Sequence, residues 1–308
     1  MDKFLAITGA SGKSGKIFLE KIMSNIDEVK DKFPSGIRIL CRNKTNNYAT
    51  DCYYEIKEFI GDLRDASYIK NALTGVDTLV HIAGIHLSAK LAQIAASCEV
   101  RRLIFVHTTG IYSKYKSAGE SYRKIDKYIY QICKDNNIHL TILRPTMIYG
   151  NVSDNNVIVF IKMMDKLPIM PVVNNAEYEL QPVHCKDLGL AYYQALMLED
   201  KTVDHDYILS GAKPISLRKM LYVIAEQLGK KPVFFNVPFP IAYLFAWILF
   251  FVSFTQQDYR EKVQRLCEPR IFSHEAATKD FDYSPCSFEE GITDEIKEYK
   301  NWLLKNKS

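Results

Sequence analysis

A glycine-rich turn directly after the first apolar run constrains this chain most. Residues 4–7 are uniformly apolar, and residues 17–23 have the composition of a helix. In a strand–turn–helix unit, one glycine permits a tight turn, a second lets the backbone approach a pyrophosphate, and a third lets the helix pack on the strand. The helix N-terminus offers its N–H groups to phosphate. The pattern therefore predicts a dinucleotide-binding unit with Gly9, Ser11, Gly12, Lys13 and Gly15 as cofactor-binding residues.

Strand and helix patterns alternate as far as Pro145, give way to a helix mixed with loop over residues 151–180, and return after residue 180. Strands are predicted at 37–41, 58–60, 76–82, 103–107, 139–143 and 207–209, and helices at 88–100 and 119–135. This alternation predicts an α/β fold, a doubly wound parallel sheet of the Rossmann type. We expect residues 1–150 to form the dinucleotide-binding domain, with 180–210 returning to it. Residues 151–179 and 211–308 are expected to form a smaller, mostly helical C-terminal substrate lobe.

Composition narrows the function classes. The 308 residues carry a net charge of +4, and the basic residues are scattered, which gives no case for nucleic acid as a partner. The seven cysteines form no CxxC pair, so reduced thiols, no metal site and a cytoplasmic location are expected.

The end of the second predicted strand indicates the cofactor. In doubly wound folds an acidic residue at this place binds the ribose 2′-OH of NAD, whereas an arginine accommodates the 2′-phosphate of NADP. Here Arg42 follows the strand and no carboxylate is present at its tip. The sequence favours NADP, with NAD as the alternative. A carboxylate after the third strand, Asp62, is positioned either to accept from the adenine amino group or to cap the next helix.

Several motifs together resemble the extended and atypical short-chain dehydrogenases/reductases, in particular the NAD-dependent epimerase/dehydratase group. They are the glycine turn and residues 61–63, 81–84, 105–112, 143–150, 181–187 and 284–292. The resemblance implies that Asp62, Leu63, Ala83 and Gly84 also bind the cofactor. It further implies an NAD(P)-dependent oxidoreductase or epimerase/dehydratase that acts on a small carbonyl or hydroxyl compound, with a nucleotide-linked sugar as the favoured substrate.

The catalytic residues of that family are only partly matched. The family uses a Ser or Thr, a Tyr and a Lys four residues after the Tyr, so that the lysine ammonium lowers the phenol pKa for proton transfer. Thr108 matches the hydroxyl position and Tyr122 is the candidate phenol, but four residues later stands Asp126, with Lys127 one place further on. Two alternatives remain open: an altered dyad of Tyr122 and Lys127, or redox chemistry that has been lost or rebuilt on other groups.

A long apolar segment at residues 241–254 leaves a further choice. It is apolar on all sides, shorter than the roughly 20 residues of a spanning helix, and flanked by Lys230, Lys231 and Arg260. A buried helix over the substrate pocket is favoured, and a homodimer contact or a peripheral membrane contact are the alternatives. Two other functions therefore stay open: a non-catalytic NADP-binding regulatory or assembly protein, and a membrane-attached reductase of a lipid-linked substrate.

Overall fold

The computed structural model describes residues 3–44, 54–115, 117–252 and 259–306. The strands are β1 Phe4–Thr8, β2 Gly36–Cys41, β3 Ile56–Ile60, β4 Val76–His81, β5 Arg102–Val106, β6 His139–Pro145, β7 Ile148–Tyr149, β8 Met170–Val173, β9 Glu179–Leu180, β10 Val183–His184, β11 Asp206–Leu209, β12 Ile215–Ser216 and β13 Phe234–Val237. The α-helices are α1 Lys13–Ser24, α2 Ile26–Lys32, α3 Ala66–Leu73, α4 Ser88–Ser97, α5 Gly119–Asp135, α6 Val157–Lys166, α7 Cys185–Met197, α8 Glu199–Thr202, α9 Leu217–Leu228, α10 Phe239–Val252, α11 Tyr259–Leu266, α12 Glu275–Phe281 and α13 Phe288–Lys305.

The main sheet contains seven of the described strands, in the order β11-β6-β5-β4-β1-β2-β3, all parallel. Parallel strands that are covered on both faces need continuous apolar runs. Accordingly, Leu5, Ala6 and Ile7 of β1 are fully buried at the centre of the sheet. The predicted α/β fold with a doubly wound parallel sheet is confirmed.

Helices cover both faces of this sheet. On one face, Phe18 of α1, Tyr192 of α7 and Phe281 of α12 belong to one buried cluster. On the other face, Ile69 of α3 and Leu91 of α4 pack in a second cluster, together with residues of α5. The strand order reverses between β1 and β4, so a crevice opens there at the carboxyl ends of the strands.

A third buried cluster lies in the C-terminal part of the chain. It joins α6, α9 and α13 around residues such as Ile161, Leu221 and Ile296. Short strand pairs (β7 with β10, β9 with β12, β8 with β13) surround it. Helix α13 begins with a capping box, in which Ser287 and Glu290 satisfy each other's backbone N–H groups. The division into domains at the residues given above stays a prediction.

Helix α10 is more exposed to solvent than the buried helix that the sequence favoured. Large apolar side chains along it are 44–61% exposed, whereas Ala246 is buried. The expectation of burial is therefore wrong for these side chains, because the body of the protein covers only one side of the helix. Residues 253–254 of the predicted segment lie outside the described residues. Among those that are described, no helix combines the length and apolar character that crossing a membrane requires.

Candidate functional site

The glycine turn has the geometry that its spacing predicts. Gly9 adopts φ +77°, and a Cβ there would lie 2.7 Å from the Ala83 nitrogen. A Cβ on Gly15 would lie 2.1 Å from the Gly9 oxygen, so the helix packs against the turn more closely than any side chain permits. Gly12 is the N-cap of α1, and no side chain of the described residues caps this helix. The first N–H groups of α1 therefore face the crevice.

The crevice holds a cavity of about 820 Å³, which we call the larger cavity. Its lining includes nine of the predicted cofactor-binding residues: Gly9, Ser11, Gly12, Lys13, Arg42, Asp62, Leu63, Ala83 and Gly84. Gly15, the tenth, lies behind the turn and acts through the close packing just described. These residues come from the ends of β1, β2, β3 and β4, which the parallel sheet brings to a single edge.

Positive charge lines the end of the larger cavity next to β2 and β3. Arg64 donates to both carboxylate oxygens of Asp62, and the Nη2-to-Oδ2 distance is 2.5 Å. This hydrogen bonding, with a smaller contribution from the charge of Arg42, holds the pKa of Asp62 at about 2. Asp62 is thus an ionised partner of two arginines. Arg64 is a cavity residue that the sequence analysis missed, although it belongs to the same loop.

A smaller cavity of about 300 Å³ adjoins the first at the carboxyl ends of β5 and β6. Its lining includes Thr108, Thr109, Tyr112, Thr146 and Gln181. Ile148 and Asn156 line both cavities, and the Asn156 amide donates to the Ile148 carbonyl at 2.9 Å. A ligand in the larger cavity would therefore meet a ligand in the smaller one at this pair of residues.

The chain after α11 forms a charged wall of the smaller cavity. Glu268 accepts hydrogen bonds from the Ser113 hydroxyl at 2.6 Å and the Lys114 N–H at 2.8 Å, which fixes the wall to the loop after β5. Arg265 and Arg270 also line the cavity. Burial, together with the charge of Arg265, lowers the pKa of Arg270 to about 10. Two guanidinium groups in one small cavity favour an anionic ligand.

Comparison with curated protein sequences finds relatives that match only part of their own length. No family model matches the chain. It is 24% identical over 231 residues to uncharacterized proteins of Mycobacterium tuberculosis and Mycobacterium bovis; the match covers 74% of this chain but only 24% of theirs, so the chain spans about a quarter of the length of these curated relatives.

Solved structures match over almost the whole chain. The dTDP-glucose 4,6-dehydratase of Streptomyces venezuelae has a TM-score of 0.72 at 16% identity, covering 97% of both chains. The UDP-glucose 4-epimerase of Thermotoga maritima scores 0.69 at 15% identity, covering 97% of this chain and 99% of that one. The NADPH-dependent quinone oxidoreductase QOR2 of Escherichia coli scores 0.70 at 16% identity, covering 94% and 98%. The chain therefore has the same fold as these three enzymes. The resemblance seen in the sequence is confirmed for the fold.

The three predicted catalytic residues lie in different surroundings. Thr108 lines the smaller cavity, and its Oγ1 accepts from the Gly110 N–H at 3.0 Å. Tyr122 is buried beside His86, with 5.3 Å between the ring centroids. Lys127 is exposed and lines a separate shallow surface depression. Five residues along a helix turn the direction by about 500°, so Lys127 points about 140° away from Tyr122.

Asp126 stands four residues after Tyr122, where the sequence resemblance predicts a lysine, and is part of a buried ionic network. Its carboxylate contacts His107 Nδ1 at 2.7 Å and accepts from Arg144 at 2.7 Å. Arg144 also binds Asp206 at 2.7 Å. Burial opposes ionisation of Asp126, but the hydrogen bond from His107 and the charge of Arg144 outweigh it and lower its pKa. The carboxylate is therefore bound to a cation and to an imidazole, not placed to activate a phenol.

The surroundings of Tyr122 disfavour the phenolate form of its side chain. Burial raises its pKa, and the charge of Arg265 opposes this effect while that of Glu261 adds to it. A tyrosine in an ordinary dyad has a lowered pKa, because an ammonium group stabilises the phenolate. Here the positive charge that acts on the Tyr122 phenol comes from Arg265 of α11 and not from a lysine on α5.

A pair of buried carboxyl groups lies behind the larger cavity. Glu295 on α13 is fully buried and accepts from the Gly150 N–H at 2.8 Å, and the buried Asp154 carboxyl group is close enough to act on it. Burial and the neighbouring Asp154 raise the pKa of Glu295 well above its usual range. The raised pKa favours the protonated form of Glu295, and the hydrogen bond from the Gly150 N–H ties the C-terminal helix to the loop after β7. No motif in the sequence indicated the pair, because its members are far apart in the chain.

Proposed function

We propose that this protein is an NADP(H)-dependent oxidoreductase or epimerase/dehydratase that acts on a small hydroxyl or carbonyl compound. The observation that carries the proposal is the junction of the two cavities at Ile148 and Asn156. One cavity contains a glycine turn suited to a dinucleotide, and the other contains hydroxyl and guanidinium groups suited to a polar substrate.

The residues of the larger cavity fit a dinucleotide. Gly9 permits the tight turn with φ +77°, Gly12 leaves the pyrophosphate approach without a Cβ, and the N-terminus of α1 supplies N–H donors. Arg42 and Arg64 would bind the 2′-phosphate of NADP, since a planar guanidinium matches phosphate in a bidentate contact. When bound, the cofactor supplies or accepts a hydride at nicotinamide C4.

The smaller cavity favours a substrate with an anionic group. Arg265 and Arg270 would hold that group, and Thr108 would orient the reacting oxygen. A nucleotide-linked sugar satisfies both requirements, because its diphosphate suits the arginines and its hydroxyls suit the threonine. The similar structures act on UDP-glucose and dTDP-glucose according to their names, which adds to the case for this substrate class.

Tyr122 is the proposed proton donor, and Lys127 contributes little. The exposure of Lys127 and the raised pKa of Tyr122 support slow proton transfer. We therefore expect weak turnover that depends on Thr108 more than on Lys127.

The test is hydride transfer from bound NADPH to a panel of nucleotide-linked keto sugars, followed by the loss of NADPH absorbance, together with conversion of ordinary nucleotide-linked sugars by the protein loaded with NADP⁺. Oxidation or conversion that is lost in Tyr122→Phe and Thr108→Ala supports the proposal. Tight cofactor binding without oxidation by any keto sugar and without conversion of any nucleotide-linked sugar would favour a non-catalytic cofactor-binding protein instead.

One observation favours a second candidate, a reductase of lipid-linked substrates. The wall of the smaller cavity from Arg265 to Phe272 begins in α11, and α11 packs against the exposed apolar helix α10. A substrate with an anionic head and a lipid tail would suit that arrangement. Oxidation of NADPH by a keto sugar linked to prenyl diphosphate, but not by the same keto sugar linked to a nucleotide, would select this candidate.

A further inference from the structure

The outer face of α10 presents apolar side chains to solvent. Ile241, Leu244, Phe245 and Ile248 follow the i, i+3, i+4, i+7 spacing of one helical face and are 44–61% exposed. Trp247 and Leu249 extend the face and are also close to half exposed. An apolar face of this size on a protein surface marks an interaction site.

The strand before α10 adds to the apolar surface. In β13, Phe235 is 62% exposed, and Val233 directly before the strand is 57% exposed. The sequence contains no charged residue from Pro232 to Gln257. A long uncharged stretch with several exposed aromatic rings has the composition of a segment that lies at a lipid–water boundary.

Basic residues flank the apolar stretch at both ends. Lys230, which also pairs with Asp165 at 2.8 Å, and Lys231 precede it. Arg260 and Lys262 follow it, against two acidic residues, Asp258 and Glu261, in the same span. The Arg260 guanidinium lies 3.9 Å from the centroid of the Phe250 ring, so a positive group sits beside the apolar helix. Basic residues around an apolar face complement the phosphate groups of anionic lipids.

We propose that α10 docks this protein on the surface of a bilayer that contains anionic lipids. The helix lies in the plane of the boundary between headgroups and acyl chains, with its exposed face towards the chains and the basic residues towards lipid phosphates. A helix of 14 residues is about 21 Å long, which is less than the hydrocarbon thickness, so it lies on the membrane rather than across it. The docking is independent of the proposed catalytic activity.

Vesicle co-sedimentation tests the proposal on the full chain. The protein should sediment with vesicles of phosphatidylcholine and phosphatidylglycerol, more weakly with phosphatidylcholine alone, and less in high salt. Phe245→Glu with Ile248→Glu should weaken binding by at least roughly tenfold, because two apolar side chains no longer enter the acyl region. Arg260→Gln with Lys262→Gln should remove much of the preference for phosphatidylglycerol.

A matched control separates docking from general surface change. Leu190 and Leu304 are 42% and 70% exposed on other helices, so Leu190→Glu with Leu304→Glu changes the same chemistry elsewhere. This control should keep full vesicle binding, and circular dichroism and NADPH titration should be unchanged in all variants. Equal loss of vesicle binding in Phe245→Glu with Ile248→Glu and in Leu190→Glu with Leu304→Glu would overturn the proposal. Absence of vesicle binding by the unmodified protein would also overturn it. If the protein is then found to be a dimer that only Phe245→Glu with Ile248→Glu dissociates, a second copy of the chain covers the apolar face instead.

Discussion

Replacement of Arg42 by alanine should remove most of the preference for NADPH over NADH. Arg42 lies in the wall of the larger cavity, close enough to Asp62 to lower its pKa. A charge-assisted hydrogen bond to phosphate contributes about 1.5–3 kcal/mol, which corresponds to roughly 10- to 150-fold in affinity. Arg64 remains in the same wall and compensates in part, so we expect the lower end, about tenfold for NADPH, and no change for NADH.

The assay is isothermal titration with each cofactor at fixed ionic strength. Lys44→Ala is the matched control, because it removes a positive charge two residues later from a side chain that is not among the described residues lining the cavity. An equal loss in Arg42→Ala and Lys44→Ala would mean that general surface charge is responsible. Equal affinities of the unmodified protein for NADPH and NADH would refute the reasoning altogether.

Three further predictions concern the glycine turn, the dyad and the buried carboxyl pair. Gly12→Val should abolish titration by both cofactors with unchanged circular dichroism, because the added Cβ starts 3.2 Å from the Gly9 oxygen at the pyrophosphate approach; retained binding would place the phosphates elsewhere. Lys127→Met should keep most of the hydride-transfer rate, whereas Tyr122→Phe should lose on the order of 10²-fold; equal losses would restore an ordinary dyad. The raised pKa of Glu295 stabilises the fold at low pH and loses that effect as the pH rises, because the unfolded chain releases this proton first. Glu295→Gln should therefore flatten the fall in unfolding free energy from about pH 5 to about pH 8, by at most about 1.4 kcal/mol per pH unit in urea titrations; an unchanged slope would show that Glu295 is ionised in the fold.

Local patterns in the sequence were sufficient for the sheet and the glycine turn. The turn requires φ > 0 at Gly9 and close approach at Gly15, and both requirements are visible as residue types. Strand β5 was predicted at 103–107 and lies at Arg102–Val106. Helix α4 was predicted to reach residue 100 and ends at Ser97, because Glu99 adopts φ +58° and breaks the helical geometry.

The charged partners of the site depend on contacts between distant parts of the chain. Asp126 was recognised as standing at the lysine position, but its binding to His107 and Arg144 requires β5, α5 and β6 to be placed together. Arg265 and Arg270 reach the smaller cavity only because the chain returns to it after α11. The exposure of α10 likewise depends on what packs against it, and its apolar composition alone is compatible with burial.

The most direct test of the central claim follows a deuterium atom from nicotinamide C4 of labelled NADPH. The protein is incubated with labelled NADPH and a panel of nucleotide-linked sugars with a keto group, and mass spectrometry locates the label. We predict that deuterium appears on carbon in one of these compounds, and that the transfer is lost in Thr108→Ala but kept in Lys127→Met. NADPH that binds with its label retained in every mixture would contradict the claim that the two adjoining cavities form an oxidoreductase site.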